Sequence, residues 1–416
     1  MIFGVYMATA IEKIISSAIG RKVYSGDFVE VPVDFAYFHD GTGPLIIDVL
    51  KEMEVNRVFS PEKIAVIFDH AAPPYNDQAA TLQAKVRKFI REQNITKFHE
   101  IGEGICHQVV PEKGYVAPGM IVCGADSHTC TIGAFGLMAL GMGATDMAYI
   151  LATGKTWIKV PETIRIEFKG FLKKGVSSKD LILEVARILG TDGATYKVLE
   201  FTGETVKKMS QSSRMTLANM AVEMGAKTAF IEPDDKTMEF LGREGKIYST
   251  DDGVAEIISI DSQYIDPKVA IPYKVSNVKS VTEVEGEPID QAFLGSCTNG
   301  RYEDLLEAAK ILKGRKVRAR LIVVPASKTT LVKAMKDGII DILMDSGAII
   351  GVPGCGPCLG VHMGVLGEDE VCISTSNRNF IGRMGARSSK VYLASPQTTA
   401  ASSIEGKITD PRRYLD

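Results

Sequence analysis

Two glycine-rich segments carry three of the seven cysteines of this 416-residue chain. Cys355 and Cys358 lie in the stretch GCGPCLG at 354–360, and Cys297 lies in the stretch GSCTNG at 295–300. Each segment follows an apolar, strand-like run, and its glycines let several backbone N–H groups approach a bound sulfur. Three thiolates can hold three irons of an iron–sulfur cluster and leave the fourth iron open, so a cluster site is one prediction from this pattern.

The spacing alone leaves four explanations of these cysteines open. Cys355 and Cys358 could form a thioredoxin-like dithiol, for which the C-G-P-C spacing is known. A structural zinc site typically takes two close pairs of ligands, and the chain has one C-x-x-C pair. A three-cysteine cluster and three small buried side chains are the other two explanations. The remaining cysteines lack such a loop and are expected to be buried without a role: Cys106, Cys123, Cys130 and Cys372.

Histidines that accompany carboxylates form the second chemical pattern. Most of the six histidines lie in four polar motifs within the first 130 residues, namely His39-Asp40, Asp69-His70, His107 in GICHQ, and Asp126-Ser127-His128. A histidine oriented by a carboxylate at the C-terminal end of a strand is the usual arrangement for general acid–base catalysis in α/β folds. Any one of them alone is compatible with a hydrogen-bonded structural histidine. Their concentration predicts proton transfer, whereas His99 and His362 lack this context.

Two arginines complete the candidate site. Arg378 and Arg383 lie in the stretch SNRNFIGR at 376–383, among asparagines and a glycine. The planar guanidinium group binds a carboxylate through two parallel hydrogen bonds, so these arginines predict a carboxylate-bearing substrate. The alternative is a role in surface solubility, but the surrounding asparagines and glycine argue against an ordinary helix.

The elements that must position these groups alternate between strand-like and helix-like patterns. Ser177 and Asp180 offer a capping box that begins a helix, and Gly190 is a suitable end for it. This alternation predicts an α/β architecture with parallel or mixed sheets. The predicted strands cover 63–68, 120–122, 164–168, 292–294 and 319–324, and the other predicted helices cover 77–93, 302–312 and 329–344.

A more polar stretch at 262–288 contains prolines at positions 267, 272 and 288 and predicts a boundary between two regions. The first region, 1–275, carries the histidine–carboxylate motifs. The second, 285–416, carries the three cysteines and both arginines. We therefore expect the site to lie in a cleft between the two regions.

Composition excludes several classes of protein. Apolar residues make up 45% of the chain and charged residues 24%, as in ordinary globular proteins. The net charge of −3 argues against broad electrostatic binding to nucleic acid or to an anionic membrane. The basic run KGRKVRAR at 313–320 is expected to be a solvated approach to a strand.

Several features predict a cytoplasmic protein without a membrane span. The first seven residues are apolar but have no basic segment before them and no long apolar core, so no signal peptide is expected. The uncharged stretches 129–145 and 346–367 are interrupted by glycine and suit buried segments. An odd number of cysteines without a secretory signal favours free thiols over disulfides.

Five motifs, in this order along the chain, resemble those of the aconitase superfamily: DSHT, GSCTNG, GCGPCLG, SNRNFIGR and the closing GKITDP. The resemblance extends over nearly the whole chain and is closest to the large subunits of 3-isopropylmalate dehydratases and homoaconitases. It implies a multi-lobed, three-layer α/β/α fold with mixed sheets. Residues 1–275 would form two interleaved lobes, and residues 285–416 the iron–sulfur domain.

The resemblance implies one [4Fe–4S] cluster per chain, held by Cys297, Cys355 and Cys358, whose fourth iron binds substrate as a Lewis acid. The implied activity is that of a hydro-lyase that moves a hydroxyl group between neighbouring carbons of a small di- or tricarboxylate hydroxy acid. For 2-isopropylmalate this is a step of leucine synthesis. The alternatives are homocitrate as substrate, a citraconate or dimethylmalate hydro-lyase, and, against the acidic charge balance, an RNA-binding regulator.

Site roles follow from the resemblance position by position. The pair Asp69-His70 resembles the family's donor of a proton to the departing hydroxyl. His107 and Asp126 resemble a second pair near the bound water, and His128 a third, partnered by Glu223. Asn219 and Glu223 are four residues apart, which predicts that they share one helical face. The resemblance further implies one cluster neighbour, Asn377, and five substrate contacts, His39, Ser127, Asn219, Arg378 and Arg383.

One departure concerns the general base. Aconitases carry a final domain with a Ser-Arg-Glu type motif, whose serine abstracts the C–H proton of the substrate. This chain has no such motif in that context. The two-subunit relatives carry the serine on a separate small subunit, which also largely determines substrate specificity. We therefore expect that this chain is inactive without a small-subunit partner.

Overall fold

Strands and helices alternate along residues 7–415, which are the residues that a computed structural model of the chain describes. Residues 1–6, which make up most of the segment considered for a signal peptide, lie outside them. No helix in 7–415 is both long and apolar enough to cross a bilayer. The α-helices are Ala10–Ile19, Gly43–Glu52, Asp77–Glu92, Cys106–Glu112, Ala144–Thr153, Ser178–Leu189, Glu204–Lys208, Gln211–Asn219, Asp235–Leu241, Val281–Val284, Ser296–Asn299, Tyr302–Leu312, Lys328–Lys336, Ile339–Ser346 and Pro396–Glu405.

The first of three large sheets has five strands, all of them parallel. Its side chains alternate between two apolar clusters: Tyr37 and Ile67 face one, and Phe38 and Val66 face the other. Burial of both faces is the usual condition of a parallel sheet. In spatial order the strands are Lys97–His99, Ile64–Ile67, Phe35–His39, Ile121–Gly124 and Met138–Gly141.

A second parallel sheet has the strand order Thr228–Phe230, Val198–Thr202, Thr163–Lys169 and Glu256–Asp261. The helix Ser178–Leu189 connects two of its strands. Its predicted capping box is confirmed, since the side chains of Ser177 and Asp180 bond reciprocally to backbone amides. The predicted end of this helix at Gly190 is confirmed as well.

The third large sheet has seven strands and is mixed. Its strands in spatial order are Val278–Ser280, Lys268–Ala270, Lys390–Ala394, Val371–Ser374, Gln291–Leu294, Arg320–Val323 and Ile349–Ile350. The predicted single helix over 329–344 is wrong, because Gly338 adopts a left-handed conformation (φ 69°) and separates two helices. Lys268–Ala270 precedes position 275 but pairs antiparallel with Lys390–Ala394, so this strand joins the later sheet.

The largest apolar cluster includes side chains from all three of these sheets, among them Phe35, Ile164 and Phe293. A further cluster fills the space around the seven-stranded sheet and the helices Tyr302–Leu312 and Pro396–Glu405. A two-stranded antiparallel ribbon, Phe28–Pro32 with Lys155–Lys159, stands apart from these sheets. The predicted α/β class with mixed sheets is confirmed.

Candidate active site

The predicted histidine–carboxylate motifs meet at one edge of the five-stranded sheet. His39 is the last residue of the strand Phe35–His39, Asp69 and His70 follow Ile64–Ile67, and Asp126 follows Ile121–Gly124. Since these strands are parallel neighbours, their carboxyl ends lie side by side. The topology therefore brings together residues that are up to 87 positions apart in the sequence (126 − 39).

Asp126 is the carboxylate on which the imidazoles converge. Its Oδ1 lies 2.8 Å from His107 Nε2, and its Oδ2 lies 3.4 Å from His70 Nε2 and 3.5 Å from His39 Nε2. The other ring nitrogen of His107 lies 2.8 Å from the hydroxyl of Tyr37. Burial favours the protonated acid, but the surrounding imidazoles outweigh it and hold the pKa of Asp126 well below its usual value.

Asp69 and His70 form a close pair at the next strand end. His70 Nδ1 lies 2.6 Å from Asp69 Oδ1, and the other carboxylate oxygen accepts a hydrogen bond from the backbone N–H of Cys106 at 2.7 Å. Burial disfavours the charged imidazole, but the thiolate form of Cys355 and the Asp69 carboxylate raise the pKa of His70 well above its usual value. The ring of His39 stacks on that of His70 at a centroid distance of 3.7 Å. Burial and the His70 charge lower the pKa of His39.

Asp40 holds this turn in place, a role that the sequence analysis did not assign. Its Oδ1 accepts from the backbone N–H groups of Asp69 (3.1 Å) and His70 (3.0 Å), and its Oδ2 accepts from that of Ala71 (2.8 Å). His39, Asp40, Asp69 and His70 offer ligand atoms within 4.8 Å of one another. The backbone N–H groups of residues 69–71 already donate to both Asp40 oxygens. We therefore interpret these four side chains as part of a hydrogen-bonded turn and not as a metal site. In the sequence, the signal for this role was the position of Asp40, an acidic residue directly after the end of a strand.

His128 and Glu223 form the third pair. His128 Nε2 lies 2.7 Å from Glu223 Oε1, and the Nε–H of Arg378 donates to both Glu223 oxygens at 2.8 and 3.0 Å. Burial opposes ionisation, but His128 and then Arg378 lower the pKa of Glu223. The predicted common helical face of Asn219 and Glu223 is wrong. Asn219 ends the helix Gln211–Asn219, and Glu223 lies in the following 3-10 turn, Met220–Met224.

The three cysteines of the glycine-rich segments lie opposite these pairs. Cys297 belongs to the short helix Ser296–Asn299 directly after the strand Gln291–Leu294, and its sulfur accepts from Asn219 Nδ2 (3.2 Å) and Asn377 Nδ2 (3.3 Å). The backbone N–H of Cys355 donates to the carbonyl of Asp69 at 2.8 Å. This bond joins the cysteine segment to the Asp69-His70 turn.

The three thiols differ in their charge environment. Burial by itself raises the pKa of the Cys358 thiol, but the Arg383 guanidinium, whose Nη2 lies 3.5 Å from the sulfur, outweighs it and lowers the net pKa. Burial raises the pKa of Cys297 to about 11 and raises that of Cys355 as well. The other four cysteines are buried free thiols whose pKa values burial raises: Cys106, Cys123, Cys130 and Cys372.

These groups enclose a cavity of about 140 Å³. The Nε of Arg383 is buried beside it without a hydrogen-bond partner among residues 7–415. Ser296 also lines the cavity and was missed in the sequence, although the motif GSCTNG contained it. His39, Asp69, Asn219 and Glu223 lie behind the lining and contact it. The predicted site residues in the lining are His70, His107, Asp126, Ser127, His128, Cys297, Cys355, Cys358, Asn377, Arg378 and Arg383.

Comparison with known families and proteins gives a consistent result. The model of the aconitase family (aconitate hydratase) matches residues 12–283 and 256–406. The chain is 52% identical to the 3-isopropylmalate dehydratase large subunit 1 of Methanopyrus kandleri, with 98% of this chain and 99% of that one covered. It is 50% identical to the methanogen homoaconitase large subunit of Methanocaldococcus jannaschii, with 97% and 99% covered.

A solved structure has a similar fold. Aconitase X from Thermococcus kodakaraensis, in its holo form, superposes with a TM-score of 0.53 at 15% identity, with 88% of this chain and 89% of that chain covered. At that identity the likeness concerns the fold alone. The sequence relatives, in contrast, share about half of their residues with this chain over nearly their full length. Together with the match of the family model to residues 12–406, they show that the chain belongs to the aconitase family.

Proposed function

We propose that this chain is the cluster-bearing large subunit of a hydro-lyase that converts 2-isopropylmalate into 3-isopropylmalate in leucine biosynthesis. The observation that carries the proposal is the convergence of three thiols, three histidine–carboxylate pairs and two arginines on one cavity of about 140 Å³. The Methanopyrus kandleri relative, 52% identical over nearly the full length, bears the name of that enzyme's large subunit.

The donor set fits one [4Fe–4S] cluster per chain, held by Cys297, Cys355 and Cys358. Two thiolates on a single zinc ion lie at most about 4.6 Å apart, since each Zn–S bond is about 2.3 Å. Among residues 7–415 the three sulfurs do not all lie within 4.8 Å of one another, so a single ion does not span them. A cluster separates its ligands by several irons, and the amide donors to the Cys297 sulfur suit cluster ligation.

When bound, such a cluster supplies a Lewis acid that polarises the hydroxyl and a carboxylate of the substrate. The arginines bind and orient the substrate. Arg378 uses its Nε–H for Glu223, and its two terminal nitrogens have no hydrogen-bond partner within residues 7–415, so they can receive a carboxylate. The unpartnered Nε of Arg383 supports a second carboxylate contact.

The histidine–carboxylate pairs move protons. His70, held 2.6 Å from Asp69, donates a proton to the departing hydroxyl, which leaves as water when the C–O bond breaks. His107 with Asp126, and His128 with Glu223, hold that water beside the cavity until it returns to the neighbouring carbon. The substrate is positioned by Ser127, Asn219 and His39. The Cys297 sulfur is positioned by Asn219 and Asn377, which donate hydrogen bonds to it. The C–H proton leaves to a serine of the small subunit. Rehydration then adds the hydroxyl to the carbon that lost this proton and delivers a proton to the carbon that lost the hydroxyl.

In this proposal the two regions of the chain contribute different groups to the site. Residues 1–275 supply the proton-transfer pairs, and residues 285–416 supply the cysteines and arginines, with the site between them. The small subunit closes this site and contributes its serine and a specificity loop. The relatives' names support the partner, since each is called a large subunit and matches this chain over nearly its whole length. Seven free thiols suit a reducing cytoplasm.

A second candidate substrate is homocitrate. The probable methanogen homoaconitase large subunit of Methanosarcina mazei is 53% identical, with 92% of this chain and 99% of that one covered. The chain is therefore almost equally identical to relatives with either name, at 52% and 53%, and the cavity residues can serve either substrate. The small subunit, which we propose to contact the variable end of the substrate, decides between them.

The test is anaerobic co-expression with the small subunit encoded in the same organism, followed by assay of 2-isopropylmalate, homocitrate, citrate and citraconate. We expect turnover of 2-isopropylmalate by the complex and none by the chain alone. Preference for homocitrate would establish the second candidate. Rapid turnover by the isolated chain would refute the partner assignment.

A further inference from the structure

Lys179 is a fully buried lysine that contacts a distant part of the chain. It lies in the first turn of the helix Ser178–Leu189, and its side chain has no exposed surface. Its Nζ donates to the carbonyl oxygens of Thr375 (2.7 Å) and Ser376 (2.6 Å), almost two hundred residues later. The helix of the second sheet is thereby tied to the segment that precedes Asn377.

No carboxylate pairs with this ammonium within 4.0 Å among residues 7–415. Asp180, its neighbour, caps its own helix and accepts from the backbone N–H of Lys268 at 2.8 Å. Asp304, the acid with the largest electrostatic effect on Lys179, accepts from the backbone N–H of Arg301 at 3.0 Å. Lys179 is therefore a buried amine whose hydrogen-bond acceptors are neutral carbonyls, and its ammonium form costs free energy unless negative charge lies nearby.

The segment that Lys179 holds contacts the cysteine segment at 295–300. The hydroxyl of Thr375 accepts from the backbone N–H of Gly295 (2.9 Å) and donates to its carbonyl (3.0 Å). Asn377, the residue after Ser376, donates to the Cys297 sulfur at 3.3 Å. A displacement of this short segment would therefore change the surroundings of Cys297 directly.

The charge environment of Lys179 also connects it with the cysteine site. Burial lowers the pKa of Lys179 to about 7, and the negative charges that oppose this shift are Asp304 and then the thiolate form of Cys358. Negative charge in the cysteine cavity therefore favours the ammonium form. Three cluster-bound thiolates would supply that charge on the far side of the held segment.

We infer that Lys179 is a positioning residue of the cysteine site: it fixes the segment 375–377 and places a positive charge behind the three thiolates. The inference rests on the proposed function, because it concerns retention of the cluster. Lys179 touches neither substrate nor cysteine sulfur. It acts through the backbone of Thr375 and Ser376 and through its charge.

Two substitutions test the inference in the complex with the small subunit. Lys179→Gln keeps a donor for one carbonyl but removes the charge, and Lys179→Met removes both. Lys227→Met is the matched control, because Lys227 is a half-buried lysine over the ring of Tyr196 and away from the cavity. The readouts are iron and sulfide per folded chain, the rate of bleaching by a chelator, and the reduction potential of the cluster.

We expect both Lys179 variants to lose iron to the chelator roughly 10-fold faster than wild type and Lys227→Met, as is typical when an outer partner of a metal ligand is removed. The cluster should also reduce at a lower potential, because a lost positive charge disfavours the added electron. If Lys179 had only a structural role, the folded Lys179→Gln variant would keep the reduction potential of the wild-type cluster. That variant decides the outcome if Lys179→Met does not fold.

Two failures can be distinguished. A wild-type complex that holds no iron after anaerobic reconstitution would overturn the proposed function itself. A wild-type complex that holds its cluster, with Lys179→Gln equal to it in both iron retention and potential, would overturn the inference alone. Faster iron loss at an unchanged potential would also overturn it, because the charge would then have no effect on the site.

Discussion

Single side chains in this site each serve more than one partner. Glu223 accepts from Arg378 and pairs with His128, and Asn219 donates to both Thr131 (2.8 Å) and the Cys297 sulfur (3.2 Å). In a buried site an unpaired polar atom costs more free energy than at the surface, because the local dielectric constant is low. Substitutions here are therefore expected to affect binding or chemistry more than their size suggests.

Cys355→Ser tests the ligand assignment. We expect loss of the brown colour and of nearly all bound iron, because the hydroxyl is a poor replacement for a thiolate ligand. Iron and sulfide per folded chain are the measurement. Cys372→Ser is the control, because burial raises the pKa of Cys372 to about 12 and the thiol does not line the cavity. Full iron in Cys355→Ser would contradict the assignment.

Arg383→Lys tests the carboxylate contact. Lysine cannot replace the buried Nε–H or the paired geometry of a guanidinium. A hydrogen bond to a charged group contributes about 1.5–3 kcal/mol, so we expect KM to rise roughly 10- to 100-fold. Steady-state kinetics of the complex measure it. Arg387→Lys, an exposed change a few residues later, should leave KM within a factor of two or so, and an equal effect of both changes would argue against the contact.

At the scale of elements, the ends of strands and helices carry the site, and their interiors support it. The residues that line the cavity come after the strands Ile64–Ile67, Lys97–His99, Ile121–Gly124 and Gln291–Leu294 or lie in the segments after Ile349–Ile350 and Val371–Ser374. Backbone groups beyond a strand end have lost their ladder partners and need others. Asp40 provides these partners for the Asp69-His70 turn.

Asp40→Asn tests that support. One oxygen becomes an NH2 group, so an amide of the turn at 69–71 loses its acceptor and faces a donor. We expect the free energy of unfolding to fall by about 2 kcal/mol, as for the loss of a hydrogen bond to a charged group. Urea denaturation measures it. Asp48→Asn, a change at an exposed partner of Lys85, should change it by less than about 0.5 kcal/mol, and an equal loss in both variants would argue against the special role of Asp40.

At the scale of the whole molecule, the apolar core is continuous across the regions that contribute to the site. The largest cluster includes Tyr37 from the first sheet, Phe201 from the second and Leu393 from the third. Of the three cysteines of the site, Cys358 belongs to this cluster, whereas Cys297 forms a small separate apolar cluster with Ile105 and Ala326. The relative placement of the three sheets therefore depends on apolar packing rather than on the cysteine ligands.

Removal of iron by a chelator in air tests this independence. We expect the visible absorbance to disappear while the far-UV circular dichroism stays unchanged, because among residues 7–415 Cys358 is the one cysteine ligand that belongs to any of the three large apolar clusters. The untreated complex is the reference, and anaerobic iron and sulfide should restore the colour. Loss of helical signal together with the absorbance would show that the ligands hold the fold together.

The amino-acid sequence by itself determined the local features. Apolar periodicity and turn residues were enough for the α/β class, for the capping box at Ser177 and for the helix Tyr302–Leu312, since these signals act over a few neighbouring residues. The glycine-rich cysteine segments and the histidine–carboxylate motifs were visible for the same reason. The family followed from five motifs in order, which the comparisons confirm.

Only the tertiary structure decided which of these groups meet. Asp126 faces four imidazoles, and those of His39 and His70 reach it because parallel strands bring their carboxyl ends to one edge. Lys179 reaches Thr375 because two sheets pack through a shared core, and Asn219 and Glu223 approach the cavity from two separate turns. Strand order and sheet packing join residues far apart in the chain, and no periodicity over a few positions encodes such a distance.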